Sequence, residues 1–410
     1  MQIVSDRGFG HGTVAFLLPL LTAPLPAATL PASVPIVSIL AASAAAAIVC
    51  LLVAGLLIRF APRLGLQDLP NARSSHRLPT PRGGGAGIVV AFLVALPWCL
   101  PDGLLATWTA GLPLAAAIML ALVGLADDRR GLGLAVRLAA QALAVAVLLA
   151  VLAHGVASTS ESDIGVLPAL TGLPFPYGWL PAGTVPWVIT AIDFAVIALL
   201  LLAGVWWINL YNFMDGIDGL AVAQALFMLV AALFIKYMDS GMDAASGLDR
   251  FLGAPLPAAC VVLIAALAAF LVVNWAPAKI FLGDIGSLFL GFSIFALGAH
   301  DVTYGDMSLW CWLILGALFL VDATVTLLRR WLTGQQVTAG HSSHLYQRLS
   351  RRWGRHWAVA LVYSLINVIW IFPLALLAQR APSWAPMISV VACLPLAVVA
   401  WRAGAGLKET

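Results

Sequence analysis

Eleven long apolar stretches recur along this chain, and shorter polar segments separate them. A helix needs roughly 20 apolar residues to cross a bilayer, and a chain inside a bilayer must satisfy its backbone hydrogen bonds within helices or closed barrels. Only 10% of the residues are charged, whereas soluble domains carry about 25%. We therefore predict an all-α integral membrane protein, a polytopic bundle of about 10–11 transmembrane helices.

The predicted spans define one transmembrane domain over residues 35–403, followed by a C-terminal tail over 404–410. Residues 1–34 hold an apolar run broken by prolines, and a signal-like segment, an extra span and an overlong start all stay open. The five cysteines are dispersed and form no CxxC pair, so neither a disulfide framework nor a zinc site is predicted. The spans are expected near residues 36–58, 86–101, 105–126, 133–153, 186–208, 219–238, 255–274, 285–300, 308–328, 357–378 and 384–402.

The basic residues are distributed unequally between the two sides of this predicted bundle. If the loop at 59–85 is cytoplasmic, alternation of the spans places 17 of the 21 lysines and arginines on the cytoplasmic side. Cytoplasmic loops of membrane proteins carry such an excess of positive charge. We therefore predict a multi-pass protein of the inner (plasma) membrane whose acidic clusters, described next, face the cytoplasm.

A polar cluster ends the apolar run in Trp206–Leu220, WWINLYNFMDGIDGL. Asn209 and Asn212 are three residues apart, as are Asp215 and Asp218, so each pair shares a face if the segment is helical. Carboxylates at the rim of an apolar span are costly and indicate a functional site. The alternative is a solvated loop closed by glycine turns.

Two adjacent carboxylates, Asp127 and Asp128, end the third span in GLADDRRGLG. Adjacent carboxylates repel each other unless a cation or a proton relieves them. Arg129 and Arg130 offer one such cation. A hard divalent cation offers another, because Mg²⁺ takes oxygen ligands and keeps waters beside a phosphate substrate. Both explanations stay open on the residues alone.

Asp284 opens a later span in NWAPAKIFLGDIGSLFLG. Taken alone, it fits a helix N-terminus, where an anion is stabilised. Its position on the same predicted face as four other aspartates favours a metal ligand instead. Lys279 suits a phosphate, and Phe281 offers an aromatic ring on which a base can stack.

Two basic loops lie on the same predicted face. The loop at 74–87, SSHRLPTPRGGGAG, combines His76 and Arg82 with glycines whose N–H groups can face a phosphate, although it lacks the Walker pattern GxxxxGK[ST]. The loop at 341–349, HSSHLYQRL, has two histidines without further ligands at zinc spacing. It either attracts anionic headgroups or folds over an anionic substrate, with histidine and arginine on its phosphates.

Together these features favour phosphoryl transfer between a nucleotide-activated donor and a lipid-borne acceptor, a reaction that rests on positioning and charge neutralisation. A transporter that uses intramembrane carboxylates is the alternative from a different class. Transporters place such groups near the midplane, commonly at the interface of internal repeats. Here the carboxylates lie at span ends and no internal repeat is seen.

Five motifs, in order, resemble those of the polyprenyl-phosphate N-acetylhexosamine-1-phosphate transferases, the superfamily that includes the phospho-MurNAc-pentapeptide translocase and GlcNAc-1-phosphate transferases. The resemblance implies transfer of N-acetylhexosamine 1-phosphate from a UDP-sugar to polyprenyl (undecaprenyl) phosphate, with Mg²⁺ as cofactor and Mn²⁺ as a substitute. The products would be polyprenyl-diphosphate-sugar and UMP. The motifs are PTPRGGG at 79–85, ADD at 126–128, NLYNFMDGIDGLA at 209–221, FLGDIGS at 281–287 and HSSHLYQRL at 341–349.

The resemblance, together with the charge and position of the residues described above, gives candidate roles to single residues. The candidate catalytic residues are Asp127, Asp128, Asp215 and His341, and the candidate metal ligands are Asp284 and Asp128. The candidate substrate-binding residues are Asn209, Asn212, Asp218, Phe281, Lys279, His76, Arg82, His344 and Arg348. The expected partners are a UDP-N-acetylhexosamine, a polyprenyl phosphate and the membrane, with no nucleic acid and with a homodimer left open.

Departures from the superfamily pattern favour its glycan-initiating branch. The translocase carries three consecutive histidines in its last loop, whereas this chain has HxxH at 341–344 and ProArgGlyGlyGly in the first loop. Initiation of O-antigen or another cell-surface glycan is therefore expected, with the translocase as the alternative. A CDP-alcohol phosphatidyltransferase is disfavoured because DGIDGLA lacks an arginine after Ala221. Direct attack by the lipid phosphate and a covalent aspartyl-phosphate on Asp127 or Asp128 both stay open.

Overall fold

A computed structural model of the chain describes residues 34–69, 79–159, 186–242, 247–336 and 340–407. Residues 1–33 of the predicted N-terminal segment and His76 lie outside these residues. The helices are α1 (Ile36–Leu64), α2 (Gly85–Ala95), α3 (Trp108–Arg130), α4 (Leu134–Thr159), α5 (Pro186–Phe213), α6 (Leu220–Asp239), α7 (Gly247–Leu252), α8 (Pro255–Asn274), α9 (Gly283–Tyr304), α10 (Leu309–Leu315), α11 (Ala317–Leu332), α12 (Leu345–Trp353), α13 (His356–Ile366), α14 (Phe372–Arg380) and α15 (Ala385–Arg402). Two short strands, β1 (Gln67–Asp68) and β2 (Thr80–Pro81), pair antiparallel.

The predicted class, an all-α polytopic membrane protein, is confirmed. Within the described part of the chain, nine helical segments are long and apolar enough to cross a membrane. Each of the eleven predicted spans coincides with a helical segment, but two of them differ from a simple span. The stretch Gly85–Trp98 is a shorter apolar helix, and the predicted span at 308–328 is divided between α10 and α11, which are bent by 75° at Gly316. Counting this bent pair as one span gives ten.

Helix α9 is the centre of the bundle. It packs against α2, α3, α4, α5, α6 and α10, and 67% of its most apolar window is buried inside the protein. Side chains such as Phe289, Leu290 and Phe292 are completely buried along it. Lipid-facing helices differ, since α1 has only 22% of its window buried and exposes Leu52 and Leu56. The sequence feature that distinguishes α9 from the lipid-facing helices is its polar and glycine-rich N-terminus.

Glycines allow the backbones of α2 and α3 to approach α9 closely. A Cβ on Gly85 would collide with the backbone of Gly286, and a Cβ on Gly124 would collide with the backbone of Asp284. Small residues of this kind are a common means of bringing membrane helices together. The contact at Gly124 lies one turn before Asp127 and Asp128, so close packing here places both carboxylates beside the start of α9.

The polar loops meet at one end of the bundle, called the site end below. The first loop pairs with the segment before α9, because Phe281 N–H donates to Pro81 O (2.9 Å) and Gly84 N–H donates to Phe281 O (2.8 Å). The Tyr346 hydroxyl, at the start of α12, donates to Phe213 O at the end of α5 (2.8 Å). The loops that carry the five motifs therefore form one assembly at the ends of the helices.

Candidate active site

Asp128 holds the N-terminus of α9. The first turn of a helix leaves backbone N–H groups without intrahelical partners, and here the partner comes from a neighbouring helix. The Asp128 carboxylate, on α3, accepts from Asp284 N–H (2.9 Å) and Ile285 N–H (3.2 Å) and lies 2.6 Å from Arg82 Nε. Its side chain is completely buried. Gly283 makes the contact possible, since at φ +74° a Cβ there would lie 2.6 Å from Asp128 Oδ2.

Asp284 projects from that same first turn and is held by two side chains. Its Oδ1 accepts from Asn212 Nδ2 (2.8 Å), and its Oδ2 lies 3.3 Å from Arg82 Nη2. The Asn212 amide also donates to Ser287 Oγ (2.8 Å), one turn further along α9. Arg82 therefore bridges the two carboxylates. Burial opposes its charge, but Asp128 and Asp284 raise the pKa of Arg82 above its ordinary value.

Asp127 is the first carboxylate of the ADD motif, and it faces the turn between α3 and α4. It accepts from Leu132 N–H (2.5 Å) and from Arg137 Nη1 (2.9 Å), in the first turn of α4. Its side chain also interacts with that of Asp284. Asp127 and Asp128 thus have separate arginine partners, and the predicted repulsion between them is relieved by Arg82 and Arg137 rather than by the neighbouring Arg129 and Arg130.

Asp215 is half-buried in the loop after α5. Among the residues that the structure describes, none donates a hydrogen bond to its carboxylate. Burial raises the pKa of Asp215 well above its ordinary value, and the nearby charge of Asp284 adds to that shift. The predicted cluster therefore contains a carboxylate that the protein leaves incompletely compensated.

Asp218 anchors two further segments to this loop. Its Oδ2 accepts from Ala278 N–H (3.1 Å), and its Oδ1 lies 3.2 Å from Nδ1 of His356, at the start of α13. On the other side of the loop, a Cβ at Gly216 would collide with the Tyr346 hydroxyl. The DGIDG stretch is therefore fixed between the segment before α9 and the α12–α13 region.

The HSSH loop, residues His341–His344, is fixed by a second carboxylate that caps a neighbouring helix. Asp322 on α11 accepts from Leu345 N–H (2.8 Å) and Tyr346 N–H (3.0 Å) at the start of α12, and from the Tyr363 hydroxyl (3.0 Å). The buried His344 ring lies 4.9 Å from the ring of His341, centroid to centroid. Ser343 Oγ is 3.1 Å from Nδ1 of His341.

The remaining predicted residues lie in different surroundings. Phe281 is half-buried beside the first loop, and the Lys279 side chain is exposed two residues earlier. Asn209 donates to Gln141 Oε1 on α4 and to Val205 O, one turn before Asn212. The Arg348 guanidinium donates to Ala403 O (3.1 Å) and Leu407 O (3.2 Å) in the C-terminal segment. The structure thus brings Asp127, Asp128, Asn212, Asp215 and Asp284 together, whereas it directs Arg348 toward the chain terminus.

Three residues of this assembly were not predicted from the sequence: Arg137, Asp322 and His356. Arg137 and Asp322 lie inside apolar helices, and His356 stands alone after a run of arginines. None belongs to a local motif, and Arg137 and His356 are revealed only by their partners in space. A buried aspartate within an apolar span was the one available signal, because such a charge is costly in a membrane, and Asp322 meets that description.

A second acidic group lies at the opposite end of α9. Asp301 follows Asp284 by 17 residues, and a helical rise of 1.5 Å per residue separates them by about 26 Å along the axis. Ligand atoms of His300, Asp301 and Asp306 lie within 4.8 Å of one another. The Lys236 ammonium already contacts both carboxylates, at 2.6 Å from Asp301 and 3.1 Å from Asp306. It therefore links α6 to α9 far from the predicted site.

Comparison with known proteins identifies similar sequences over most of the chain. A family profile described as Glycosyl transferase family 4 matches residues 111–300, which include four of the clustered polar residues and Asp284. A probable undecaprenyl-phosphate N-acetylglucosaminyl 1-phosphate transferase of Bacillus subtilis (strain 168) is 28% identical over 338 residues, which cover 82% of this chain and 83% of that relative.

Two other relatives are named for related transferase activities. A decaprenyl-phosphate N-acetylglucosaminephosphotransferase of Mycobacterium tuberculosis (strain CDC 1551 / Oshkosh) is 31% identical over 344 residues, 78% of each chain. A phospho-N-acetylmuramoyl-pentapeptide-transferase of Saccharopolyspora erythraea is 33% identical over 312 residues, which cover 70% of this chain and 81% of the relative. Each of the three relatives is similar over at least 70% of this chain.

Proposed function

Since the chain belongs to the superfamily of polyprenyl-phosphate N-acetylhexosamine-1-phosphate transferases, we propose that it transfers N-acetylglucosamine 1-phosphate from UDP-N-acetylglucosamine to undecaprenyl phosphate. The observation that carries this proposal is the group of carboxylates that converge at the first turn of α9, at the ends of the apolar helices. Both proposed substrates are anionic, and the lipid phosphate lies at headgroup level, so a site at the helix ends is within reach of each. The product would initiate a cell-surface glycan.

The donor atoms at the site end suit a hard divalent cation. Asp127, Asp128, Asp215 and Asp284 supply only oxygen, and their direct guanidinium contacts are with Arg82 and Arg137. Oxygen ligands of this kind fit Mg²⁺. We assign Asp284 as its principal ligand, because the oxygens of Asp128 already accept backbone hydrogen bonds and contact Arg82. The bound ion would neutralise charge on the donor pyrophosphate.

The proposed reaction is a direct displacement at phosphorus. An oxygen of the lipid phosphate forms a bond to the β-phosphorus of the UDP-sugar, and the bond from that phosphorus to the bridging oxygen breaks. UMP leaves with the bridging oxygen as a phosphate whose second pKa is about 6 by analogy with phosphoserine, so no general acid is required at pH 7. The same analogy makes the attacking phosphate largely ionised, and the protein's task is to position two anions.

The contacts of the ADD motif support direct attack over a covalent aspartyl-phosphate. A nucleophilic carboxylate needs a free oxygen facing the β-phosphorus. The Asp128 side chain is completely buried with both oxygens engaged, and Asp127 accepts from Leu132 N–H and Arg137. Their proposed roles are therefore positional: Asp128 sets the start of α9 and Asp284, and Asp127 sets the turn into α4.

The choice of donor rests on the relatives' names and on the HSSH loop. Two of the three relatives described above are named for N-acetylglucosamine, and the third is named for the N-acetylmuramoyl-pentapeptide. The HxxH pattern, which departs from the three consecutive histidines of the translocase, favours the first donor. Within the proposal, His341 contacts the donor phosphates, Phe281 stacks on uracil, and the nucleotide enters from the cytoplasm, the side that receives most of the positive charge.

One assay tests the proposal. The purified protein is incubated with undecaprenyl phosphate and Mg²⁺, and UMP release is measured for UDP-N-acetylglucosamine, UDP-N-acetylgalactosamine and UDP-N-acetylmuramoyl-pentapeptide. We expect UMP release with UDP-N-acetylglucosamine to exceed release with the pentapeptide donor. Preference for the pentapeptide donor would establish the translocase instead. Absence of lipid-dependent UMP release with every donor would refute the proposed transfer.

A further inference from the structure

We propose that the C-terminal segment Ala403–Leu407, called the C-terminal strap below, positions the HSSH loop for donor binding. This inference rests on the proposed function, in which that loop contacts the donor phosphates. The strap follows α15 and turns back at once, with Ala405 N–H donating to Ala400 O (3.0 Å). Ala405 is completely buried and packs beside Leu345 at the start of α12.

The strap is hydrogen-bonded directly to the loop. Gly406 N–H donates to Ser343 O (2.9 Å), and Gln335 Nε2 donates to Gly406 O (3.0 Å). Ser343 is itself buried and lies between the strap and His341, because its hydroxyl is 3.1 Å from Nδ1 of that histidine. Ser343 therefore contacts both the strap and His341, the histidine that we propose binds the donor phosphates, so a movement of the strap would also move His341.

Arg348 locks the strap from the side of α12. Its Nε donates to Ala403 O (3.1 Å) and its Nη1 donates to Leu407 O (3.2 Å), so one guanidinium fixes both ends of the strap. In this arrangement Arg348 is a positioning residue that acts through the strap. The geometry therefore assigns it a role other than the direct phosphate contact expected from the sequence.

Gly406 is the residue on which the strap depends. It has φ +82°, a conformation that residues with a Cβ rarely adopt. A Cβ there would also lie 2.6 Å from Thr326 O on α11. Alanine at this position must therefore move the strap away from α11, and the hydrogen bond to Ser343 moves with it.

The matched control is Gly305, at the C-terminus of α9 and the opposite end of the molecule. Gly305 has φ +77°, but a Cβ there meets no atom within 4 Å. Gly406→Ala and Gly305→Ala thus carry the same backbone penalty and differ in the collision. We expect Gly406→Ala to raise the KM for UDP-N-acetylglucosamine about tenfold, as for loss of one or two hydrogen bonds, with the KM for undecaprenyl phosphate within twofold of wild type. Gly305→Ala should change neither.

A second readout is independent of catalysis. Cysteine is introduced at Ser342, beside the strap contact, and its labelling by a water-soluble maleimide is timed in detergent. Labelling should accelerate about tenfold with Gly406→Ala and should not change with Gly305→Ala. Unchanged labelling together with an unchanged KM for the donor would overturn the proposal that the C-terminal strap positions the HSSH loop. An equal rise in both KM values with a lowered thermal midpoint would also overturn it, in favour of general destabilisation. If Gly406→Ala is labelled faster but the wild-type protein transfers no sugar phosphate, the proposed function is refuted while the contact between the C-terminal strap and the HSSH loop still stands.

Discussion

At the scale of single residues, the clustered carboxylates differ in what holds them. The Asp128 side chain is completely buried and accepts backbone hydrogen bonds. The Asp284 carboxylate has side-chain partners only, and the charge of Asp215 stays incompletely compensated. A sequence motif presents all of them as equivalent acids. The partners separate a carboxylate that shapes the site from carboxylates that remain able to meet a cation or a substrate.

Asp284→Asn tests the metal assignment. The substitution keeps the shape of the side chain, but an amide cannot neutralise a divalent cation. We expect turnover to fall by about 10²–10³-fold or more, as for removal of a central electrostatic contact, without a change in thermal unfolding. UMP release at a series of Mg²⁺ concentrations is the measurement, and EDTA should abolish the wild-type activity. Asp249→Asn, on the exposed face of α7, is the control. Wild-type turnover by Asp284→Asn at limiting Mg²⁺ would show the assignment to be wrong.

A burst experiment separates direct attack from a covalent intermediate. Concentrated enzyme is mixed with UDP-N-acetylglucosamine in the absence of polyprenyl phosphate, and UMP is quantified within the first turnover. We expect no burst, because both ADD carboxylates are already engaged by backbone and arginine donors. Co-purified lipid would mimic a burst, so lipid is first removed from the protein and the amount of lipid that remains is measured. A burst equal to the enzyme concentration that Asp127→Asn or Asp128→Asn abolishes would establish the covalent route.

At the scale of helices, the same kind of N-terminal helix cap occurs twice at the site end. Asp128 on α3 caps α9, and Asp322 on α11 caps α12, in each case with a side chain from a different helix. Helix α9 has no side-chain cap from its own N-cap residue, Leu282, whereas α12 also has its own capping box between His344 and Gln347. The caps from α3 and α11 join the start of each helix to a neighbouring span, so the Asp284 turn and the HSSH loop are fixed relative to the spans that carry the caps.

Asp322→Ala tests this dependence for α12. The substitution leaves the N–H groups of Leu345 and Tyr346 and the hydroxyl of Tyr363 without their acceptor. At about 1–3 kcal/mol for each unsatisfied buried group, partly relieved by relaxation, we expect the free energy of unfolding to fall by about 2–4 kcal/mol. Thermal unfolding in detergent is the measurement. Asp322→Asn keeps one oxygen acceptor and should lose less; an equal loss for alanine and asparagine would contradict capping as the cause.

Sequence patterns predicted the helices better than their junctions. The apolar stretches placed every predicted span on a helical segment, because burial in lipid requires a continuous apolar helix, although α1 and α4 continue six residues beyond the predicted ends. The bend of 75° between α10 and α11 was not predicted, since Gly316 lies within an unbroken apolar run. The motifs predicted that Asp128 and Asp284 share a face. The motifs did not predict which of the two carboxylates would accept backbone hydrogen bonds, because the contact that decides this joins residues 156 positions apart in the chain.

At the scale of the whole molecule, the two ends of the bundle have different chemistry. The site end gathers aspartates from three separate segments around Arg82 and Arg137, whereas at the opposite end the single ammonium of Lys236 contacts both Asp301 and Asp306. The Arg329 guanidinium lies over the Trp401 ring (4.3 Å), a contact between α11 and α15 beside the C-terminal strap. Such a pair suits the headgroup level of a membrane, where tryptophan and arginine both anchor helix ends.

The last prediction concerns the side of the membrane on which the site end lies. A nucleotide sugar is made in the cytoplasm, so the proposed transfer requires the carboxylates to face that compartment. Single cysteines are placed at the exposed Arg352, after the HSSH loop, and at the exposed Ser240, at the opposite end of α6. A membrane-impermeant maleimide should label Ser240→Cys in intact cells and Arg352→Cys only in inside-out vesicles. The wild-type chain is the blank, since four native cysteines are buried and Cys393 is half-buried. The reverse pattern would place the carboxylates outside and exclude a cytoplasmic donor, whatever the chemistry of the site.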